Sequence, residues 1–407
     1  MRAADDGIWD LVVVGAGPAG ASTALGALAA DPSLRVLLLD RERFPRDKSC
    51  GDGIAPHVLD ALAGVGVRDV ADGWTPLRHL ELARAGTTLT STGATPARVR
   101  RALHRPVWVI PRQVFDARLV THATRAGADL RRHRVRHVHV APDGVVLDGC
   151  VTGRVVVAAD GAHSAVRRAV SGQPPSRRRA LAIRGYAPTA PSRLGRQLIV
   201  YGERRQPSYA WAFDRGDGLS NVGYGELLGD DRDQPSRALL LQQLEQLVPG
   251  SVEDGSQWRG HPLPLSGWRW RQPDGRVLLT GDAAGLVNPM TGEGIYYAVS
   301  SGILAGRAAA AALGRSTPQA AGGLHRVSVR RLLARHLRHS AVCSRLAAVP
   351  SVVDAGIRAA ARDQRVFDDL VEIGLGQGVI TRRLAGGLLR GITADPADQH
   401  QNQNVAP

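Results

Sequence analysis

Short apolar runs punctuated by glycine set the pattern of the chain. WDLVVV (9–14) is followed by GAGPAG and ASTALGALAA, which reads as strand, turn and helix. RVLLLD (35–40) is continuously apolar and ends on an acid, the pattern of a strand buried on both faces in a parallel sheet. Together they predict a βαβ unit. VLDALAGVGV (58–67) has the spacing of a short helix, and HLELARAGTTLTST (79–92) the looser alternation of strands. FDARLVTHATRAG (115–127) predicts a helix closed by Gly. Residues 129–159 read as a β-meander: DLRRHRVRHVHV, a turn at PDG, VVLDG, then RVVVAADG. From 173 to 274, Pro, Trp, Tyr and runs such as RQLIVYG and SNVGYGE predict a second, sheet-based unit inserted into the first. RVLLTGD (276–282) resumes the parallel-strand pattern, EGIYYAVSSGILAGRAAAAAL (293–313) is a long helix, and 316–394 read as Arg-rich helices.

Gly15, Gly17 and Gly20 form GxGxxG between the first strand and helix. The first Gly permits a tight turn, the second lets the backbone approach a pyrophosphate, and the third lets helix pack on strand. The free N–H groups of the helix N-terminus then point at the anion. An acid is needed about twenty residues on for a ribose hydroxyl, and Asp40 ends the next strand. Three more segments favour FAD over NAD. VVVAADGAHSAVRR (155–168) ends a strand on Asp160-Gly161. VLLTGDAAGLVNPMTGEGI (277–295) delivers Gly281-Asp282 and a second glycine turn, whose helix N-terminus suits the ring edge that becomes anionic on reduction. IPRQVFDARL (110–119) places Arg112 to reach the cofactor's phosphates.

The set GxGxxG, ADGxxSxVR and GDAAGxxxPxxGEG, spanning 9 to about 313, resembles the FAD-dependent oxidoreductases with a p-hydroxybenzoate hydroxylase-like fold. Within that group two features resemble the geranylgeranyl reductase branch. FPRDKSCGDGI (44–54) is similar to its PRDKxCG loop, and PSYAWAFD (207–214) to its YxWxFP motif, with Asp214 where Pro is expected. The GWRWRQP stretch (267–273) does not match the halogenase WxWxIP motif.

The resemblance implies an α/β fold. A Rossmann-type FAD-binding domain is assembled from 1–75, 100–172 and 275–315, and β-sheet substrate-domain segments lie at 76–99 and 173–274. C-terminal helices follow over 316–394, with a polar tail at 395–407. It implies cofactor contacts at Gly15, Gly17, Ala19, Gly20, Asp40, Arg41, Cys50, Gly51, Arg112, Asp160, Gly281, Asp282, Pro289, Gly292, Gly294 and Ile295. Tyr209, Trp211 and Phe213 alternate on a predicted strand and present one aromatic face to an apolar substrate. Cys50, Asp52 and Lys48 are candidates for the proton and charge chemistry, or for holding the loop. Met290 reads as a packing filler.

The expected activity is reduction of carbon–carbon double bonds in a prenyl or polyene-like substrate. Its rivals are an FAD-dependent monooxygenase of small-molecule biosynthesis and a flavin scaffold without turnover. No second GxGxxG exists, so the reductant is a transiently bound NAD(P)H or a ferredoxin-like protein.

Composition narrows the rest. Net charge is +15, and Lys48 is the only lysine among 52 Lys and Arg. The arginines are spread along the chain without aromatic interleaving, which argues against nucleic acid. The charge reads as Arg-rich coding or as attraction to an anionic partner. LHRVSVRRLLARHLRHS (324–340) is either a surface helix or a peripheral membrane contact. Cys50, Cys150 and Cys343 form neither a disulfide framework nor a CxxC pair, so a reducing cytoplasm is expected. No apolar run reaches about 18 residues, and the N-terminus lacks signal-peptide layout. His137 and His139 have no metal-ligand spacing and read as a solvated face, Arg177–Arg179 as a solvated turn, and GxSxG is absent.

Overall fold

The computed structural model describes residues 7–85, 97–172, 178–229, 234–268 and 270–393. The first half contains β1 (Trp9–Val14), α1 (Pro18–Ala30), β2 (Val36–Asp40), β3 (Gly53–Ile54), α2 (Pro56–Ala63), β4 (Leu77–Arg84) and β5 (Arg98–Val109). Next come α3 (Arg112–Arg125), β6 (Asp129–Arg132), β7 (Val138–Val140), β8 (Val145–Leu147), β9 (Val151–Ala158) and α4 (Ala165–Ser171). The inserted region holds β10 (Arg179–Pro188), β11 (Arg196–Tyr201), β12 (Tyr209–Asp214), β13 (Leu219–Leu227), α5 (Arg237–Leu247) and β14 (Ser256–Pro264). The chain closes with β15 (Val277–Leu279), α6 (Ile295–Gly314), α7 (Ala321–Leu346), α8 (Pro350–Arg362), α9 (Gln364–Leu375) and α10 (Arg382–Thr393).

Five strands make the parallel part of the first sheet. In it β2 lies between β6 and β1, and β1 pairs with β9. The far edge of β9 is shared: β8 takes its start in antiparallel fashion and β15 its end in parallel. The continuous apolar runs of β1 and β2 are buried because α1 and α6 cover them. Those two helices approach closely through small residues. A Cβ on Gly26 would lie 2.6 Å from the Ile303 carbonyl oxygen, and one on Gly306 would overlap the Thr23 carbonyl. The alanine-rich stretch of α6 therefore buys proximity rather than bulk.

The 129–159 meander is shorter than the sequence suggests. β6 leaves it and pairs in parallel with β2, so the meander proper is β7–β8–β9. Asp148 causes the break: its carboxylate accepts the N–H groups of Arg136 and His137 and contacts His133 Nε2 at 2.7 Å. His137 and His139 are exposed.

The second sheet has eight strands in the order β14-β10-β13-β12-β11-β4-β5-β3. Among the described residues only β11 and β4 pair in parallel in it. β5 continues in it to Val109, past the residue-99 boundary expected from sequence. α5 covers one face, where Leu240 and Leu244 meet Ala210, Ala212 and Tyr224. The other face turns toward the first sheet. At the far end α8 and α9 pack on β4 and β5, with Ile357 and Phe367 beside Leu80 and Val99. Among the described residues no single helix is long and apolar enough to cross a membrane. Residues 86–92 and the tail from 394 lie outside the described residues, as does Arg177 of the predicted turn.

Candidate active site

A single cavity of about 1740 Å³ runs between the two sheets and on beneath the C-terminal helices. Its first wall is the glycine turn. Gly15 adopts φ 99°, a conformation open to glycine, and α1 starts at Gly17 with no side-chain cap. The first N–H groups of the helix are thus left for a ligand. A Cβ on Gly17 would lie 3.3 Å from Arg46 and 4.0 Å from Arg112, so the missing side chain opens a cradle facing two guanidinium groups. Gly20 does not line the cavity; a Cβ there would overlap the Gly15 carbonyl, so it serves helix–strand packing. Asp40 accepts the N–H groups of Ala16 (2.8 Å) and Glu42 (2.9 Å), which fixes the turn against β2, and it still lines the cavity beside Arg41.

Arg112 is buried and bidentate to Asp116 at 2.6 and 2.8 Å, and Arg46 reaches the same carboxylate at 3.0 Å. Burial alone would lower the Arg112 pKa; the Asp116 carboxylate outweighs it and holds the charge firmly. Two cations against one carboxylate leave net positive charge facing the glycine turn, which suits a pyrophosphate. On the other side, Asp160 accepts the Ala165 and Val166 N–H groups and shapes the start of α4, while lining the cavity.

The loop RDKSCGDG forms the roof, stitched to the second sheet by side chains far away in sequence. Arg184 of β10, 1% exposed, pairs with Asp47 and donates to the Lys48 carbonyl at 3.0 Å. Asn221 of β13 donates to the Cys50 carbonyl (2.9 Å) and to Asp52 (2.8 Å), and accepts from Trp211 Nε1 (2.8 Å). Tyr186 donates to Asp52 at 2.6 Å. Asp52 is fully buried with φ 57°, and burial pushes its carboxyl up to about 6. It does not line the cavity, whereas Lys48, Cys50 and Gly51 do. Burial also raises the Cys50 thiol, so it keeps its proton at neutral pH.

The second glycine turn faces this roof. Gly281 (φ 51°) lies underneath, where a Cβ would press on Ala19 and Ala298. Asp282 lines the cavity and pairs with Lys48 at 3.3 Å, with His261 at 3.9 Å. Burial would raise the Asp282 carboxyl; the Lys48 ammonium outweighs it and keeps it ionised. His261 is driven down to about 4 by burial and by Lys48, and so is neutral. Pro289, Gly292, Gly294 and Ile295 all line the cavity at the start of α6.

The turn is clamped from outside. Asn288 accepts the Met290 N–H (2.9 Å) and donates to the Ile373 carbonyl of α9 (2.8 Å) and to Tyr297 (3.0 Å). Thr291 donates to the Gly374 carbonyl at 2.7 Å, and Ser344 of α7 to the Pro289 carbonyl at 2.7 Å. Met290 fills the space against Val366 and Ile373.

Tyr209, Trp211 and Phe213 present one aromatic face to the cavity, their rings tilted against each other with centroids 5.9 and 6.4 Å apart. Tyr209 donates to the Thr291 carbonyl, joining the face to the glycine turn. Asp214, the departure from the motif, accepts the N–H groups of Gly195 (2.6 Å) and Gly216 (3.0 Å). It pins two turns by hydrogen bonds in place of the fixed angle of a proline.

Several site residues had no place in the sequence reading. Glu293, half-buried in the GEG turn, lines the cavity and accepts the Tyr296 N–H at 2.8 Å; burial pushes it to about 7. Its signal was an acid between two glycines of a quoted motif. Arg184, Tyr186, Asn221 and His261 carried no local signal.

Comparison with known proteins places this geometry. The FAD binding domain family matches residues 9–193. The menaquinone reductase of Mycolicibacterium smegmatis is 34% identical over 318 residues, 73% of this chain and 75% of that protein. Digeranylgeranylglycerophospholipid reductase 1 of Methanopyrus kandleri is 31% identical over 325 residues, 75% of this chain and 81% of that protein. A geranylgeranyl bacteriochlorophyll reductase-like structure from Thermoplasma acidophilum superposes with TM-score 0.73 at 19% identity, covering 95% of this chain and 96% of that one.

Proposed function

The chain belongs to the geranylgeranyl reductase family of FAD-dependent oxidoreductases, and on that premise we propose that it adds two hydrogens across a carbon–carbon double bond of a prenyl-bearing or polyene-like substrate. The cavity carries this reading. Past the aromatic face it continues between the second sheet and α8–α10, and the side that these helices form is apolar, with Val353, Ile357, Val371, Leu375 and Leu384 among its members. A long apolar chain fits such a space, and a charged headgroup does not.

The residues present fit FAD. Gly15, Gly17 and the α1 N-terminus would hold its pyrophosphate with Arg46 and Arg112, Asp40 its adenosine ribose, and Asp282 its ribityl side. Gly292–Ile295 would lie along the ring. When bound, FAD supplies a hydride from its reduced ring. The chain supplies the rest. Trp211 and Phe213 offer the alkene an apolar surface, and the wall beyond excludes water. Cys50 lines the cavity with its thiol beside Arg112 and holds a proton at neutral pH. That proton would go to one alkene carbon as the hydride reaches the other, and the thiolate left behind would regain its proton from solvent after product leaves. Lys48 is committed to Asp282 and sets the charge at the cofactor's edge, and Asp52 holds the loop. Electrons return from NAD(P)H or a ferredoxin-like protein.

The test is to reduce the purified protein without oxygen, add polyprenyl substrates of graded length, and weigh the products. A gain of two hydrogens supports the reading. Product that forms only after oxygen is admitted, heavier by one oxygen atom, makes the protein a monooxygenase instead. Reducible flavin with no product from any substrate makes it a scaffold.

A further inference from the structure

Three residues of the cavity wall are also exposed to solvent: Leu346 (39%), Leu389 (65%) and Ile392 (52%). Leu389 and Ile392 are three apart on α10 and share a face. On the same helix Leu384 and Leu388 continue the stripe into the cavity. Leu346 ends α7, where the chain turns through 115° into α8, and Val349 in that corner is 46% exposed. The apolar surface thus passes from the channel to the outside instead of ending at a polar collar.

Positive charge predominates at the rim, against which stand Asp354, paired with Arg84, and Asp369. Residues 345–353 and 382–393 carry four arginines (345, 382, 383 and 390) and no Asp or Glu. Arg345 and Arg382 are exposed, and Arg383 pairs with Asp369 at 2.9 Å. We propose that this lip docks on an anionic phospholipid surface, so that a lipid-borne substrate moves from bilayer to channel without crossing water. The inference rests on the reading that the substrate is lipophilic.

Physical chemistry favours this occupant. Apolar side chains ringed by arginine match the acyl and phosphate layers of such a membrane. A second copy docked by the same patch would set the arginines of the two copies against each other. Residues 394–407 offer one large apolar side chain, Val405, to cover the lip. The helix over 324–340 is a poor alternative. His325, Val329, Leu333, His336 and Leu337 are buried and commit one of its faces to the core.

Flotation of the full flavin-loaded chain with vesicles tests the lip. Vesicles of mixed phosphatidylcholine and phosphatidylglycerol should carry the protein, less so as salt rises, and phosphatidylcholine alone should carry about tenfold less. Combined Leu389→Glu and Ile392→Glu should cut partitioning by about tenfold or more with flavin content and Tm retained. Val327→Glu, on the exposed side of α7 (47% exposed), should float like wild type. Wild type that stays with the aqueous phase, or a double variant that floats like wild type, overturns the proposal. So does a dimer that the double variant abolishes, if it forms without vesicle binding. Reduction of a detergent-dispersed substrate by a protein that binds no vesicle sinks the docking alone. Vesicle binding without any reduction sinks the substrate reading alone.

Discussion

Asp52 accepts from Tyr186 and Asn221 through one carboxyl oxygen, while its other oxygen is buried without a partner. Its folded pKa, about 6, lies above the ordinary 3.8. The folded state therefore binds the proton more tightly, and the stability this gives is complete below 3.8 and lost as pH rises through about 6. The difference corresponds to about 3 kcal/mol. Asp52→Asn keeps the shape and tolerates the positive φ. Denaturant unfolding should show wild type losing about that much relative to the variant between about pH 3 and about pH 7. Parallel pH profiles would mean that the carboxyl is already ionised in the fold. For Asp282 the readout is colour. Asp282→Ala should purify with far less bound flavin than wild type, and a fully yellow preparation would remove Asp282 from the cofactor's seat.

At the scale of elements, the close crossing of α1 and α6 is the most demanding contact. Gly306→Ala sets a methyl group against the Thr23 carbonyl. Overpacking of this kind costs about 1–3 kcal/mol, more than the helix propensity gained. Urea midpoints would report it, and an unchanged midpoint would show that the helices can part freely. What the sequence made legible were these periodic features. Continuous apolar runs marked β1 and β2, spaced glycines marked both turns, and alternation in YAWAFD marked the aromatic face. What it hid were pairings across distance. Arg184 and Asp47 are 137 positions apart and Asn221 and Asp52 are 169, and no local period records them. The Arg- and His-rich pattern of α7 was equally mute about direction. His325 and His336 turn inward, to the Leu279 and Gly378 carbonyls. Asp148 broke a strand that its neighbours' alternation would have continued.

For the whole molecule, the channel's length becomes a measure of substrate choice. Gly356 of α8 lines it, and a Cβ there would lie 3.5 Å from Leu388 of α10. Gly356→Leu should close the distal part. We expect kcat/KM to fall about tenfold or more for the longest polyprenyl substrates and to hold within about threefold for the shortest, a length-dependent loss of transition-state binding. An equal loss for both would show a general defect instead of a blocked channel.

The clamp on the second glycine turn reaches further than its hydrogen bonds. Asn288 and Thr291 are tied to the end of α9, and α9 is also a wall of the channel. A guest that shifts α9 by filling the channel also shifts the seat of the cofactor. Thermodynamic reciprocity then fixes the balance: whatever factor the guest contributes to flavin affinity, flavin returns to the guest. Flavin dissociation measured with and without a saturating polyprenyl chain would give that factor. A ratio of one would mean that Asn288 holds the turn while leaving the two sites independent.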